Sequence, residues 1–528
     1  MSEAHQQRPN LARPVRFPFR ALAMRVFLVF LVLYVGLTRG HFWSVDEVAV
    51  YHQTRSLWQR GNLVTAPLLN AVTGRDAQSY SALGAGQSVL AVPLFCLGKL
   101  TRHILEKLDA DDAIRTLAGP VIGESPGNLW GGEVEIWFVD LFNAFAVAGI
   151  CSVFFAFSWR LGATPHWALV AALLLGTTSY VAGTSNNFFQ HSAESLFILW
   201  SFYFLLCDTQ NPGWRPRLWA GLAAGVMTFV RITAALALPV LAMYLLWGVW
   251  NRRNRAWSFD RFALHAFAEC LPFAAPAAAG LFAVAAVNYW KFGAFDLVGG
   301  FVHFQKFDAS LWVSLYAYLF SPGGSIFVFT PLLVLAPWYF RKFVSQNRSE
   351  ALVVFSISLA YAIFCGKVTG WHSQWSFGIR HLTPVVALLL LPLAGWLQSS
   401  SKWKWGGTAV LGLAGMWVQL LQLLVNTSYV YHYEKYLTLH PPHSYIFVPA
   451  ISQVAAHGKA LLAWDFRVDF WLLNIYRIAG VDAFLLVAGS LLCLLYLSFR
   501  KMLAALQQAN RVLRQENCAG ELEPVGKE

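Results

Sequence analysis

Two adjacent carboxylates, Asp46 and Glu47, follow directly on the first apolar run of the chain. A carboxylate at a membrane face can take a proton from a hydroxyl or hold a cation. Partial burial would move its pKa toward a useful range. The plain alternative is a pair of acids opening a helix. Arg231 is the single charge between Arg217 and Arg252 in an otherwise apolar stretch. An arginine at membrane depth needs a partner. It reads as a clamp for an anion such as phosphate, or as half of a structural pair with a carboxylate such as Glu194. The polar stretch 179–194 offers Gln190 and His191 to a polar ligand, although a satisfied loop histidine is the commoner case.

A second cluster lies at 367–381, with Lys367, His372, Arg380 and His381 beside Trp371 and Trp375. Cations suit a phosphate, and tryptophans suit a sugar face or a lipid headgroup. Both tryptophans also fit an ordinary interfacial belt. Gly323-Gly324 can present backbone N–H groups to an anion or simply shape the start of a span. Asp109-Ala-Asp111 imitates a metal–nucleotide motif, but the helical residues that follow make Asp111 or Asp112 a helix cap. There is no Walker A pattern, which argues against an ATP-driven pump. No cofactor is firmly implied, and a divalent metal stays open, with no metal ligand set in the sequence. Six of the seven cysteines sit in apolar runs and none forms CxxC, so they read as packing residues.

Those groups must be positioned by membrane helices. Of the 528 residues, 57% are apolar and 12% charged, the latter about half the usual ~25%. A single soluble domain and intrinsic disorder are excluded on that basis. The net charge of +12 marks inner loops rather than nucleic-acid binding, because no basic stripe with stacking aromatics occurs on a polar segment. About twelve candidate spans are expected, near 23–39, 134–158, 166–184, 188–207, 218–231, 233–250, 264–288, 325–340, 350–366, 382–398, 406–426 and 481–499. Several are short and call for tilt.

Placing the arginine-rich arm 1–22 inside makes every short inner loop basic, as the positive-inside rule asks. That alternation needs residues 82–103, apolar but rich in Gly and Pro, to be re-entrant or interfacial. The expected organisation is a transmembrane domain over 23–426 with one long outer loop at about 40–133. An outer segment at 427–480, a last span at 481–499 and an inner tail at 500–528 follow. The candidate residues then gather on the outer face.

Five stretches together resemble bacterial members of the GT-C superfamily of membrane glycosyltransferases, the polyprenyl-phosphate-sugar-dependent enzymes. That group includes protein mannosyltransferases (glycosyltransferase family 39) and aminoarabinose transferases acting on lipid A. The stretches are Ser44-Val-Asp46-Glu47-Val-Ala-Val-Tyr51 with 56–61 downstream; Gly221 to Arg231; Asn288-Tyr-Trp-Lys-Phe-Gly293; Phe320-Ser-Pro-Gly-Gly324; and Trp375-Ser-Phe-Gly-Ile-Arg380. The resemblance spans roughly residues 20–400. It implies an all-α polytopic fold of eleven to thirteen spans with interfacial helices in the first outer loop. It implies a polyprenyl-phosphate sugar donor and a glycan, lipid or protein hydroxyl acceptor at the outer face of a bacterial cytoplasmic membrane. Asp46 would be the base of an inverting in-line displacement. Arg231, Arg380 and Lys367 would be cations at the leaving phosphate, with Gln190, His191 and His372 as further substrate contacts. Where some members carry a large soluble C-terminal domain, this sequence has only 427–480 and the short tail. The rival readings are a twelve-span secondary transporter and a non-catalytic lipid- or polysaccharide-binding membrane subunit.

Overall fold

The computed structural model describes residues 18–68, 70–118, 133–252, 258–303, 305–373, 376–399, 401–425, 427, 443–463 and 471–521. Most of the inner arm and the final residues of the tail fall outside that set, as do Trp375 and much of 427–480. The described chain is almost wholly helical, because a backbone in lipid must satisfy its own hydrogen bonds.

The chain begins with α1 (Pro18–Leu37) and continues outside it with α2 (Val45–Arg60), a small hairpin β1 (Ala71–Thr73) and β2 (Ser79–Ser81), α3 (Gly86–Lys107) and α4 (Asp111–Ala118). The hairpin is antiparallel, with Val72 opposite Tyr80. Next come α5 (Val134–Asp140), α6 (Phe142–Arg160), α7 (Pro165–Thr178), α8 (Tyr180–Gly183), α9 (His191–Gln210), α10 (Trp214–Val230), α11 (Leu238–Arg252) and α12 (Phe259–Phe292). The second half holds α13 (Leu311–Phe320), α14 (Ile326–Phe329), α15 (Ala336–Gln346), α16 (Arg348–Lys367), α17 (Thr383–Leu390), α18 (Leu393–Gln398) and α19 (Lys402–Leu424). Short helices α20 (Ser444–Phe447) and α21 (Gln453–Leu462) precede α22 (Trp471–Glu521), which kinks at Gly480, where φ is 84°.

Among the described residues, nine helices are long and apolar enough to cross a membrane, or ten if the bent pair α7 and 180–186 forms one span. The protein is thus an all-α, multi-pass integral membrane protein. The sequence count was about twelve. Of the difference, α10 has only 17 residues, and the stretch 325–340 is cut into α14, a 3-10 turn from Pro331 and α15. Proline at 331 lacks the N–H that would continue the helix. The helix α3 also meets the length and composition standard for a span. Its packing partners are α2, α4, α5 and the α10 end that leads to Arg231. Val89, Leu90, Leu97, Leu100 and Ile104 form an exposed apolar face on it.

Two devices fix the part of the bundle that carries Arg231. On α10, Gly221 and Gly225 lie against the backbones of Phe273 and Pro276 of α12, where an added Cβ would come within 2.4 Å and 2.3 Å of a carbonyl oxygen. Gly280 of α12 meets Gly225 in the same way. Small residues let membrane helices approach closely.

The second device is ionic, at the end of α10 away from Arg231. Arg217 lies 2.8 Å from Asp208 and 2.5 Å from Glu269, and Arg252 lies 3.3 Å from Asp208. One network therefore ties α9, α10, α11 and α12. Two arginines that read in sequence as inner-loop markers are spent on it. Arg217 and Asp208 are nearly fully buried, so removing Arg217 takes the buried cation from Asp208 and leaves both carboxylates to the more exposed Arg252. Arg217→Ala is expected to cost about 3–5 kcal/mol of stability. The half-exposed Arg252 should cost about 1 kcal/mol or less. Thermal unfolding of the two detergent-solubilised variants beside wild type checks this order.

Candidate functional site

The site begins at the first turn of α2. Ser44 caps that helix, and Glu47 completes a capping box. Glu47 is fully buried. One of its carboxylate oxygens accepts from the backbone N–H groups of Ser44 at 2.9 Å and Trp43 at 3.2 Å. The other accepts from Phe188 N–H at 2.7 Å. Glu47 therefore staples the start of α2 to the turn 187–190. Burial pushes its carboxyl up to about 7, while the backbone donors at Phe188 and Ser44 oppose the rise. Asp46, one residue earlier, points away from this socket and is partly exposed. Its Oδ1 accepts from Asn70 Nδ2 at 3.1 Å. Its Oδ2 lies 3.0 Å from Arg380 Nη1, an ion pair whose angles fall short of a hydrogen bond.

A raised carboxyl pKa has a stability consequence with a definite sign. The folded state holds a proton that the unfolded state has lost, so the contribution is complete below 4.5 and disappears as pH rises through about 7. His372 acts the other way at lower pH. Burial, then His443 and Arg380, push it down to about 3, so its cost is felt below 6.5 and fades as pH rises. Above pH 6.5 only the Glu47 slope remains of these two. The unfolding temperature of wild type minus that of Glu47→Gln should fall between pH 6.5 and 8. A flat difference would remove this carboxyl from the pH response.

Arg380 is delivered by a turn that requires glycine. Gly378 has φ 80°, and a Cβ there would collide with the Tyr180 and Phe329 rings. Tyr180 donates to Phe377 O at 2.6 Å, and Gln453 of α21 bonds both Gly378 N at 2.5 Å and Ser376 O at 2.7 Å. The Arg380 guanidinium sits 4.6 Å over the Phe189 ring. Beside it a narrow cleft is lined by Arg39, Trp43, Asn187, His191, Ser376 and Arg380, among others. Arg39 was not singled out from the sequence, where it reads as the flank of the first span. It is buried, donates to Gln422 O at 3.3 Å and lies 5.7 Å over Trp43. The Nε atoms of Arg39 and Arg380 are both buried without a hydrogen-bond partner among the described residues.

Arg231 stands at the C-terminal end of α10 in extended backbone. Its Nη1 is 3.2 Å from Glu194 Oε2 and also meets His191 Nδ1. Nη2 is 3.4 Å from His381 Nδ1. His381 Nε2 is 3.1 Å from Gly370 O, which fixes a tautomer with the proton on Nε2 and Nδ1 as the acceptor from Arg231. Glu194 further accepts from Thr233 Oγ1 at 2.6 Å and Tyr361 OH at 2.7 Å. The pairing with Glu194 raised by the sequence is therefore present. Arg231 also lines a second, more open cleft, together with Gln190, Asn288 and Lys291. Gln190 donates to Gly84 O at 2.7 Å. Lys291 was missed in sequence because it sits inside a motif that reads as the end of a span.

Arg380 and His191 at one cleft and Gln190 and Arg231 at the other thus flank the turn 187–191, and Asp46 joins them through its ion pair with Arg380. Two expected members do not join them. Lys367 donates to Ala309 O at 3.1 Å and lines neither cleft. His372 lies 3.1 Å from Tyr445 OH and packs 4.1 Å from the His443 ring, and with its depressed pKa it is neutral near pH 7. The Gly323-Gly324 turn takes the bland reading: Gly323 N donates to Ile446 O at 2.9 Å, and a Cβ there would strike Tyr445 O. Asp111 and Asp112 open α4. Among the described residues no group of three or more His, Cys, Asp or Glu side chains is arranged to hold a metal.

Residues 134–278, spanning α5 to the middle of α12, match the family model described as dolichyl-phosphate-mannose-protein mannosyltransferase. That match agrees with the GT-C resemblance read from the motifs. A solved structure of ArnT from Cupriavidus metallidurans in the apo state is 16% identical, with a TM-score of 0.46, over 92% of this chain and 75% of that one. The same protein bound to undecaprenyl phosphate is 17% identical, with a TM-score of 0.43, over 93% and 76%. The archaeal oligosaccharyltransferase AglB from Archaeoglobus fulgidus, in complex with an inhibitory peptide and a dolichol-phosphate, is 8% identical, with a TM-score of 0.42, over 76% and 55%. No curated protein sequence matches the chain significantly.

Proposed function

We propose that the protein is a membrane glycosyltransferase that moves a sugar from a polyprenyl-phosphate donor to a hydroxyl acceptor at the outer face of a bacterial cytoplasmic membrane. The observation that carries this is the placement of one partly exposed carboxylate, Asp46, against the guanidinium of Arg380. Two further arginines, Arg39 and Arg231, line the clefts beside it. A base next to an anion-binding group is what displacement of a phosphate by a hydroxyl requires. The description of the matching family, which names a dolichyl-phosphate-linked mannose, supports the donor class.

The step is a single in-line displacement. Asp46 takes the proton of the acceptor hydroxyl, whose oxygen attacks the anomeric carbon. The bond from that carbon to the phosphate oxygen breaks, and its electron pair leaves with the polyprenyl phosphate. Arg380 and Arg231, with Arg39, stabilise the charge that develops on the departing oxygens. Glu47 is a positioning residue here: it fixes the turn of α2 that aims Asp46, and it reaches no substrate. Gln190 and His191 meet the donor between the two clefts. Lys367 and His372 take no part in the step.

The test is turnover of the purified protein in lipid nanodiscs with a panel of polyprenyl-phosphate sugars and a crude cell-envelope acceptor. Release of polyprenyl phosphate that depends on acceptor supports the assignment. No release with any donor, together with substrate uptake into liposomes, would move the assignment to a transporter.

A further inference from the structure

Lys291 is the one charged residue between Glu269 and Asp296, and it ends up 1% exposed. Its ammonium donates to Ser81 O at 3.1 Å and Leu83 O at 3.2 Å. Both are neutral carbonyls. An ammonium has three donors, so these two bonds leave one to give. No carboxylate pairs with Lys291 among the described residues. A buried cation without a counter-charge is costly, and a fold keeps one where a ligand supplies the charge.

The surroundings state what that ligand is. Lys291 and Arg231 line the same cleft, and the Arg231 charge is opposed by Glu194. With Lys291 protonated, two cations against one carboxylate leave a net charge of +1, which matches a phosphodiester with its single negative charge. Gln190, Asn288 and two threonines add polar groups to the wall, while Val284, Val287 and Phe301 give it an apolar side and Leu297 and Val298 are exposed at the rim. A charged floor under an apolar, open rim fits an amphiphile whose head is anionic.

We propose that Lys291 binds the phosphate of the lipid-linked donor, as the second cation of the cleft it shares with Arg231. This rests on the donor class proposed above. The lysine holds the segment 81–85 through the carbonyls of Ser81 and Leu83. With donor bound, its third N–H goes to a phosphate oxygen, so filling the cleft and fixing that segment are coupled.

Binding of fluorescent farnesyl phosphate to the full chain, in nanodiscs of phosphatidylcholine, tests this. Wild type, Lys291→Gln, Lys291→Arg and Val298→Glu are compared, with farnesol as the uncharged probe. Val298 is 44% exposed at the rim, so Val298→Glu places a repelling charge there without touching the lysine's bonds. Loss of a charge-assisted hydrogen bond predicts about 10- to 100-fold weaker farnesyl phosphate binding in Lys291→Gln. Val298→Glu should also weaken it, Lys291→Arg should retain most of it, and farnesol should bind alike in wild type and the two Lys291 variants. Competition by inorganic phosphate alone, or by phosphatidylglycerol added to the nanodiscs, would assign the cation to free phosphate or to bulk lipid and overturn the proposal. Equal binding of farnesyl phosphate by wild type, Lys291→Gln and Val298→Glu overturns the role of Lys291 and leaves the donor class standing. Failure of wild type to bind farnesyl phosphate overturns both.

Discussion

Asp46→Asn is expected to lower turnover by about 10²- to 10⁴-fold, the range a positioned general base supplies, while donor binding stays within a few-fold of wild type. The amide has the shape of the carboxylate and keeps an oxygen for Asn70. It cannot take a proton from the acceptor. It also releases Arg380 from its ion pair, so affinity for the anionic donor should hold or rise slightly. Parallel measurements of kcat and donor Kd separate the two effects. Asp46→Glu moves the carboxylate outward by one methylene and should recover only part of the rate, because proton transfer depends on position at this scale. Loss of donor binding in step with turnover would mean that Asp46 holds the donor rather than the proton.

Arg231 carries the second large effect, and a pair of variants separates its two roles. Removing it leaves Glu194 buried and unpaired, which should cost about 3–5 kcal/mol of stability. It also removes a cation from the developing charge on phosphate, worth about 10²- to 10³-fold in rate by analogy with oxyanion donors. Arg231→Met should therefore be both unstable and inactive. Arg231→Met combined with Glu194→Gln removes the stranded charge. The double variant is expected to regain most of the thermal stability while turnover stays low. Recovery of both would make Arg231 a structural partner of Glu194 and nothing more.

The difference between what the sequence exposes and what it hides has physical causes. Arg231 is legible because a charge in an apolar run needs a reason. Asp46 is legible because it follows the first span immediately. The roles of Asp46 and Glu47 are not separable in sequence, since adjacent residues on a helix point about 100° apart. Only the fold shows that one faces the site and the other the backbone of 43, 44 and 188. Arg39 and Lys291 hide where a basic residue normally ends a span. Lys367 and His372 lie in a short turn dense in polar side chains, which in sequence looks like a ligand site, and the fold gives them bonds to Ala309 and Tyr445 that no spacing rule shows. The all-helical membrane class follows from composition. The exact span count does not, because α10 has only 17 residues and the segment 325–340 is broken at Pro331, so apolar content alone does not fix how many helices cross.

The most direct test of a single displacement driven by Asp46 is the anomeric configuration of the product. One turnover with a polyprenyl-phosphate sugar of known anomer, read by the one-bond carbon–hydrogen coupling at the new linkage, gives the answer. In-line attack by the acceptor on the face opposite the phosphate predicts inversion. Retention would require two displacements through a covalent sugar–enzyme intermediate, and would contradict the role given to Asp46.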